Sequence, residues 1–366
     1  MTSPAPTPIR YREDLEHPRQ DEAELIDKLV AKLHGNNVWA YKKYRHAIRD
    51  AHAKSHGILI GELTVDPDLP EELAQGLFAR AATYPVFGRL SSTSGALRHD
   101  RLRGIRGLGL KVLGVEGPRL QDDGATTQDF LLVTHREFPF KDAHAYLVRG
   151  MPLAWLLARL PDRVMMVVQW VLARVKPVLH RFGGKLPVAL ELFVEPNIPI
   201  LGNTFFSSAP IRYGDYVAKF CLAPLSPSVK VLSSQLMPDD AGPEAFRDMV
   251  VEFFRHDSAV YELRVQLCTD PVTMPIEDAT VAWPESVSPH RRVATVTFPA
   301  QDAYGDKRRI FGDDVLSFNA WTGLAAHRPL GSINRLKLKV YEASSTFRHE
   351  KNHQPLLEPV TVDVPE

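Results

Sequence analysis

The chain is 366 residues long, and its 44 Lys plus Arg are matched by 44 Asp plus Glu. It therefore has no overall field to draw in nucleic acid or an anionic membrane. Its two cysteines, Cys221 and Cys268, each stand in an apolar-rich segment, which excludes a disulfide framework or thiolate metal cluster and suits a reducing compartment. Residues 1–9 are rich in Pro and Thr and lack an apolar centre, so neither a secretory signal nor a transit peptide is read there and a cytoplasmic protein is expected.

Residues 1–20 are expected to form a flexible arm, 21–350 one domain and 351–366 a tail; closed β-barrels often run long as a single unit. Leu25, Ile26, Leu29, Val30 and Leu33 stand at helical spacing within 21–33, with Gly35-Asn36-Asn37 as a stop. Residues 58–65 read as a strand, and 66–72 as a turn that starts a helix. Further strand candidates are 108–115, 130–134, 188–194, 216–222, 261–268 and 293–298. In the clearest, Tyr261, Leu263, Val265 and Leu267 alternate with Glu262, Arg264 and Gln266, which buries one face and wets the other.

The most apolar stretch, 151–178, is broken by Arg159, Asp162, Arg163, Arg174, Lys176 and three prolines. Its longest uncharged run, 164–173, is about half of what a bilayer crossing needs. A spanning helix is excluded. Packing on the protein's own core is the first reading, and a rim that meets lipid or guides a greasy substrate the second. Residues 334–347 read as a helix with Leu338, Tyr341 and Ser345 along one side.

Four motifs keep one order. Arg49-Asp50-Ala51-His52-Ala53-Lys54-Ser55-His56-Gly57 resembles the catalase segment in which an Arg stands three residues before the distal histidine. Arg89-Leu90-Ser91-Ser92-Thr93 resembles the catalase Arg-Phe-Ser-Thr motif, with Arg89 following His52 by 37 residues. Arg106-Gly107-Leu108-Gly109-Leu110-Lys111-Val112 is similar to the family's Arg-Gly-Phe-Ala-Val-Lys-Phe strand. Lys337-Leu338-Lys339-Val340-Tyr341, with Arg348 seven residues on, is similar to the catalase proximal helix. The resemblance spans about 45–350, and the short C-terminus is similar to the small catalase-related haemoproteins, a group of peroxidases and allene oxide synthases.

The resemblance implies an α+β fold, a catalase-like antiparallel β-barrel with surrounding helices, and a b-type haem whose iron is ligated by Tyr341. A phenol of ordinary pKa near 10 binds iron as phenolate only where positive charge stabilises it, and tyrosinate is an established haem ligand. Lys337 stands where the family has an Arg; it brings the charge without the rigid fork. Arg49, Arg89 and Arg348 match arginines that hold the haem propionates. Phe138, and less directly Phe130, match aromatic packers near the haem.

On the distal side His52 would move a proton between the peroxide oxygens. Ala51 is smaller than its catalase counterpart and leaves room above the iron. Ala125 falls where catalases carry an Asn, and Thr126 or Thr127 offers a hydroxyl in its stead. Read without the resemblance, Tyr341 is a tyrosine packed on a barrel, His52 a buried imidazole bonded to backbone, and each arginine an ion-pair partner. A zinc site on His52 and His56 is excluded, because Gly57 and the strand after it break a helix. Gly107, Gly109 and Lys111 do not form a phosphate loop.

The first expected function is a haem peroxidase that reduces hydrogen peroxide or an organic hydroperoxide with an unspecified reductant. Rearrangement or cleavage of a fatty-acid hydroperoxide is the second, and a haem-binding or sensing protein without turnover the third. No nucleic-acid partner or transmembrane segment is expected, and a homodimer stays open.

Overall fold

The computed structural model describes residues 7–122, 124–184, 186, 188–191 and 193–364. Past α1 (Glu22–Tyr44), β-branched and aromatic residues build β1 (Lys54–Val65), β2 (Thr83–Ser92), β3 (Arg106–Leu113), β4 (Thr127–Val133), β5 (Phe205–Phe206), β6 (Ile211–Tyr213), β7 (Tyr216–Pro224), β8 (Ala259–Leu267) and β9 (Arg291–Phe298). Each pairs antiparallel with its neighbours in the order β5-β4-β3-β2-β1-β9-β8-β7, and β5 returns to β7. Eight strands thus close into a barrel, which leaves no long unpaired edge. The short β6 lies along residues 216–218 of β7, and β5 lies along Cys221 and Leu222.

Strand alternation fills the interior. Leu59, Leu63, Val86, Leu110, Leu263 and Val296 are at most 1% exposed. At one end Phe78, Phe130, Tyr213 and Phe220 pack with ring centres 5.0–6.3 Å apart, in tilted and edge-on pairs that favour aromatic contact. Gln266 departs from the expected wet face of β8: it is buried, and its amide donates to the Trp283 and Ser288 carbonyls.

Helices pack around this scaffold. α2 (Met151–Arg159) and α3 (Asp162–Arg181) come between β4 and β5, α4 (Ala245–His256) between β7 and β8, and α5 (Ser332–Asn352) follows β9. Leu25, Ile26, Leu29 and Leu33 of α1 pack on Ile333, Leu336 and Val340 of α5. No helix among the described residues is long and apolar enough to cross a membrane. Cys221 and Cys268 are buried and unbonded, and burial pushes both thiols up to about 12.

Several sequence expectations are corrected. α1 does not stop at Gly35 but runs to Tyr44, because His34 and Tyr41 both pack edge-on against Phe347 of α5. Residues 66–72 form turns without a helix; Pro67 and Pro70 lack the N–H a helix needs, and one turn closes on the Pro70 carbonyl. The strand expected at 188–194 is a short helix, Val188–Glu191, lying outside the closed barrel. Residues 83–92 form a strand that periodicity did not signal, since residues 86–92 are buried without alternation.

The stretch 151–178 packs on the core by one side only; Trp155, Val167 and Trp170 are more than half exposed. Of the arm expected at 1–20, residues 1–6 lie outside the described residues. Residues 7–20 run along the barrel, where the Ile9 N–H donates to the Cys268 carbonyl. In the tail, Glu358 reaches the buried Lys111 ammonium, which also pairs with Asp129 at 2.8 Å.

Gly61 marks the tightest crossing of β1 and β9: a Cβ there would stand 2.2 Å from the Thr297 carbonyl oxygen. Gly61→Ala is expected to cost roughly 1–3 kcal/mol through overpacking, read as a lower urea midpoint. An unchanged midpoint would mean that the two strands can separate without loss.

Candidate active site

The chain leaves α1 and turns a corner before β1. At His52 the backbone is left-handed, with φ 55°, a conformation that costs a non-glycine residue about 1–3 kcal/mol. The corner is over-determined. His52 and Ala53 N–H groups donate to the Thr93 and Ser94 carbonyls at 3.0 and 3.1 Å, and the Arg89 guanidinium donates to the His52 carbonyl at 2.9 Å.

The imidazole lies flat enough on β3 that a Cβ at Gly107 would stand 2.3 Å from its Cε1 and 2.4 Å from its Nδ1. Its Nδ1 meets the Ser91 hydroxyl at 3.0 Å, and that hydroxyl donates to the Gly107 carbonyl at 3.4 Å. With the hydroxyl proton so used, Nδ1 donates and Nε2 keeps its lone pair. Nε2 has no hydrogen-bond partner among the described residues, and His52 lines the cavity between barrel and helices.

Three guanidinium groups gather beside this corner. Arg49 donates to the Gly312, Asp313 and Leu316 carbonyls, and Arg348 to the Leu316 carbonyl and the Ser317 hydroxyl. Arg89 donates from two nitrogens to one Asp313 carboxylate oxygen, at 2.9 and 3.1 Å. Burial and the neighbouring cations lower Arg49, and Arg348 is held at about 10 by burial first and Arg89 second. The Arg348 Nε is buried with no hydrogen-bond partner among the described residues.

From the other side α5 presents Lys337, Tyr341, Ser344, Ser345 and Arg348, residues spaced to share one helix face. The cavity between the two sides is about 410 Å³ and is also lined by Ala51, Phe138, Leu153, Leu157 and Met165. The Tyr341 hydroxyl has no partner among the described residues. Burial, then Asp50 and Tyr146, raise the phenol above its ordinary value. Lys337 donates to the Asn334 side chain at 2.9 Å rather than to Tyr341, and burial holds its ammonium at about 8.

The barrel with its surrounding helices has counterparts among solved structures. A fungal catalase solved at 1.9 Å and catalase A from Saccharomyces cerevisiae each superpose with a TM-score of 0.56 at 14% identity. The match covers 95% of this chain and 66% and 68% of theirs, so the chain spans about two thirds of their length. The chain has the catalase fold. No protein-family model and no curated protein sequence matches it.

Within this fold, seven of the residues singled out for the site from sequence line the same cavity: Arg49, His52, Arg89, Phe138, Lys337, Tyr341 and Arg348. Phe138 packs on Phe140 and Tyr146, with ring centres 6.3 and 5.9 Å away. Phe130 is a correction: strand alternation turns it into the barrel against Phe78 and Phe220, away from the cavity. Neither threonine supplies a distal hydroxyl, because Thr126 is exposed and the buried Thr127 hydroxyl donates to Glu358 at 2.6 Å. His56 stands inside β1 and bonds the Ser92 hydroxyl at 2.7 Å.

Sequence reasoning missed Ser91, Asp313 and Asp50. Ser91 had a readable signal, since it stands two residues after Arg89 on the same face of β2. Asp313 joins Arg89 across more than 200 positions, and nothing local marks that. Asp50 is a buried carboxyl, raised by burial, that approaches Ser344.

Burial holds His52 and His327 down at about 3 and lowers His56 well below its ordinary value. An unfolded imidazole titrates near 6.5, so below that pH the unfolded chain takes up protons that the folded one refuses. Their contribution to stability is complete above about pH 6.5 and is lost progressively as pH falls toward 3. The urea midpoint is expected to drop between pH 7 and pH 5; an equal midpoint would mean that these imidazoles are charged in the fold.

Proposed function

We propose that this chain binds a b-type haem in the cavity and reduces hydrogen peroxide or an organic hydroperoxide with His52 as acid and base. The observation that carries this reading is the meeting at one cavity of an imidazole that burial keeps neutral, a phenol with no hydrogen-bond partner among the described residues, and three guanidiniums, two of them against the Asp313 carboxylate. The fungal catalase and catalase A from Saccharomyces cerevisiae are catalases by name, which agrees with a peroxide substrate.

A haem needs an axial donor, anchors for two carboxylates and a largely apolar slot. The residues present fit. Tyr341 would ligate the iron, and Arg49, Arg89 and Arg348 would hold the propionates, with the unpartnered Arg348 Nε as one spare donor. Phe138 would pack beside the ring. The haem iron would supply the charge that keeps Tyr341 ionised and the redox centre at which peroxide is reduced.

The chain's own residues then carry the proton. His52 Nε2, unprotonated well below neutral pH, accepts the proton of a hydroperoxide's inner oxygen and returns it to the outer one. Ser91 holds Nδ1, and Gly107 leaves space for the ring. Two features weaken the support of Tyr341: Lys337 is turned to Asn334, and Asp50 sets a carboxyl near the phenol. Together with the lack of a distal threonine hydroxyl, they favour peroxidase chemistry over fast dismutation.

The apolar extension through Leu33, Leu153, Leu157 and Met165 favours a second reading, rearrangement or cleavage of a fatty-acid hydroperoxide. The roomy Ala51 points the same way.

The absorption spectrum of the purified protein, before and after peroxide, tests the proposal. A Soret band that changes on mixing supports it; a protein that cannot take up haem overturns it. Oxidation of a phenolic dye without gas marks a peroxidase, and conversion of a lipid hydroperoxide without reductant marks rearrangement. His52→Ala is expected to keep the Soret band and lose about 10²–10⁴-fold in turnover. Gly107→Ala is expected to lower the same rate by pushing the ring aside. Tyr341→Phe should shift the ferric spectrum or lose haem; an unaltered spectrum would assign the iron to another residue.

A further inference from the structure

α3 carries its apolar stripe on the outside. Met165 and Gln169 face inward and are buried, whereas Val164, Val168, Val171, Val175 and Val178 recur every three or four residues along a separate, solvent-exposed stripe, with Trp170 exposed as well. These six side chains are 40–57% exposed, and α2 adds exposed Trp155 and Leu156. A surface helix normally turns such a stripe toward the core, and a contiguous apolar patch marks an interaction face.

Charge selects the partner. Although the whole chain is neutral, residues 151–181 hold Arg159, Arg163, Arg174, Lys176 and Arg181 against one carboxylate, Asp162, which is paired with Arg98 at 2.6 Å. Lys176 is paired with Glu191, so the surplus rests on the arginines. Arg159 lies over the Trp155 ring at 4.3 Å and Arg174 over the Trp170 ring at 3.4 Å. Indole with a cation at its rim suits a boundary that is apolar on one side and anionic on the other. A second copy of the chain would set like charges against each other.

The same helices wall the cavity. Leu153, Ala154 and Leu157 of α2 and Met165 of α3 line it from the inner side. We propose that α2 and α3 form a docking face for an anionic lipid bilayer, lying in its headgroup region, and that the cavity behind them is loaded from that bilayer with an acyl-chain substrate. Docking stands independently of the chemistry; loading rests on the hydroperoxide reading above.

The test is flotation of the full-length protein with vesicles of phosphatidylcholine plus phosphatidylglycerol, against phosphatidylcholine alone. Binding to the anionic vesicles is expected to be at least about tenfold tighter and to weaken with salt. Tryptophan emission should shift to the blue on binding, with the shift reduced in Trp170→Phe. The double variant Arg163→Glu/Arg174→Glu should lose the anionic preference, and Val168→Ser, a milder change at an exposed site, should weaken binding to both vesicle types.

Absent or composition-independent binding would overturn the proposal. So would a dimer in sedimentation that Val168→Ser dissociates, since the face would then belong to a second copy. Vesicle binding that persists in a protein without peroxide turnover would leave docking standing while the chemical reading fails. If turnover is present, the charge variant should lose it on a lipid hydroperoxide held in anionic vesicles and keep it on the same compound in detergent; equal loss in both would overturn loading from the bilayer.

Discussion

Three guanidinium groups crowded into one corner repel one another, and the rest of the structure is arranged around that repulsion. Arg49 comes from the exit of α1, Arg89 from β2 and Arg348 from α5, so their meeting ties the barrel to both helices. What holds them is the short bend from Phe311 to Ser317. It turns the Gly312, Asp313 and Leu316 carbonyls toward the cations and sets the Asp313 carboxylate against Arg89. Buried charge is tolerated where it is paired and hydrogen-bonded in this way, with the Arg348 Nε as the exception among the described atoms of the three groups. The same bend buries Gly312 against Ile58 of β1, so the electrostatic centre and the barrel wall form one unit.

The barrel also explains how a strained corner stays rigid. On β2, Arg89 and Ser91 share one face; the first takes the His52 carbonyl and the second its Nδ1. β3 supplies the flat bed at Gly107. Each contact comes from a strand paired on both sides, so none can move alone. The proton transfer proposed for His52 would gain from such preorganisation, because no reorganisation would be needed during the reaction.

Legibility in the sequence followed the range of the forces involved. The residues that meet in the cavity were readable through the resemblance of four ordered motifs to catalases; without it, Tyr341 reads as a packed tyrosine and His52 as a buried imidazole. β8 was readable from its alternation. β2 was not, since much of it is buried without alternation and the period of two disappears. The end of α1 was misread because a local signal, Gly35-Asn36-Asn37, is outweighed by Phe347, more than 300 positions away. The partners that fix the site, Asp313 above all, reach it through tertiary contact and leave no local trace. The stretch 151–178 reads as apolar and is expected to pack on the core, but composition cannot tell which side meets the core, and here the valine stripe meets solvent.

The left-handed backbone at His52 has a consequence for evolution in the laboratory. Glycine and asparagine adopt that conformation more readily than histidine, so replacing His52 with either would relieve local strain and strengthen the corner. Selection of this protein for heat resistance alone would therefore enrich variants that fold better and have lost the imidazole to which proton transfer is assigned in the proposed function. Thermal robustness and competence are opposed at this one residue, and any stabilisation programme has to hold position 52 fixed and work elsewhere on the scaffold.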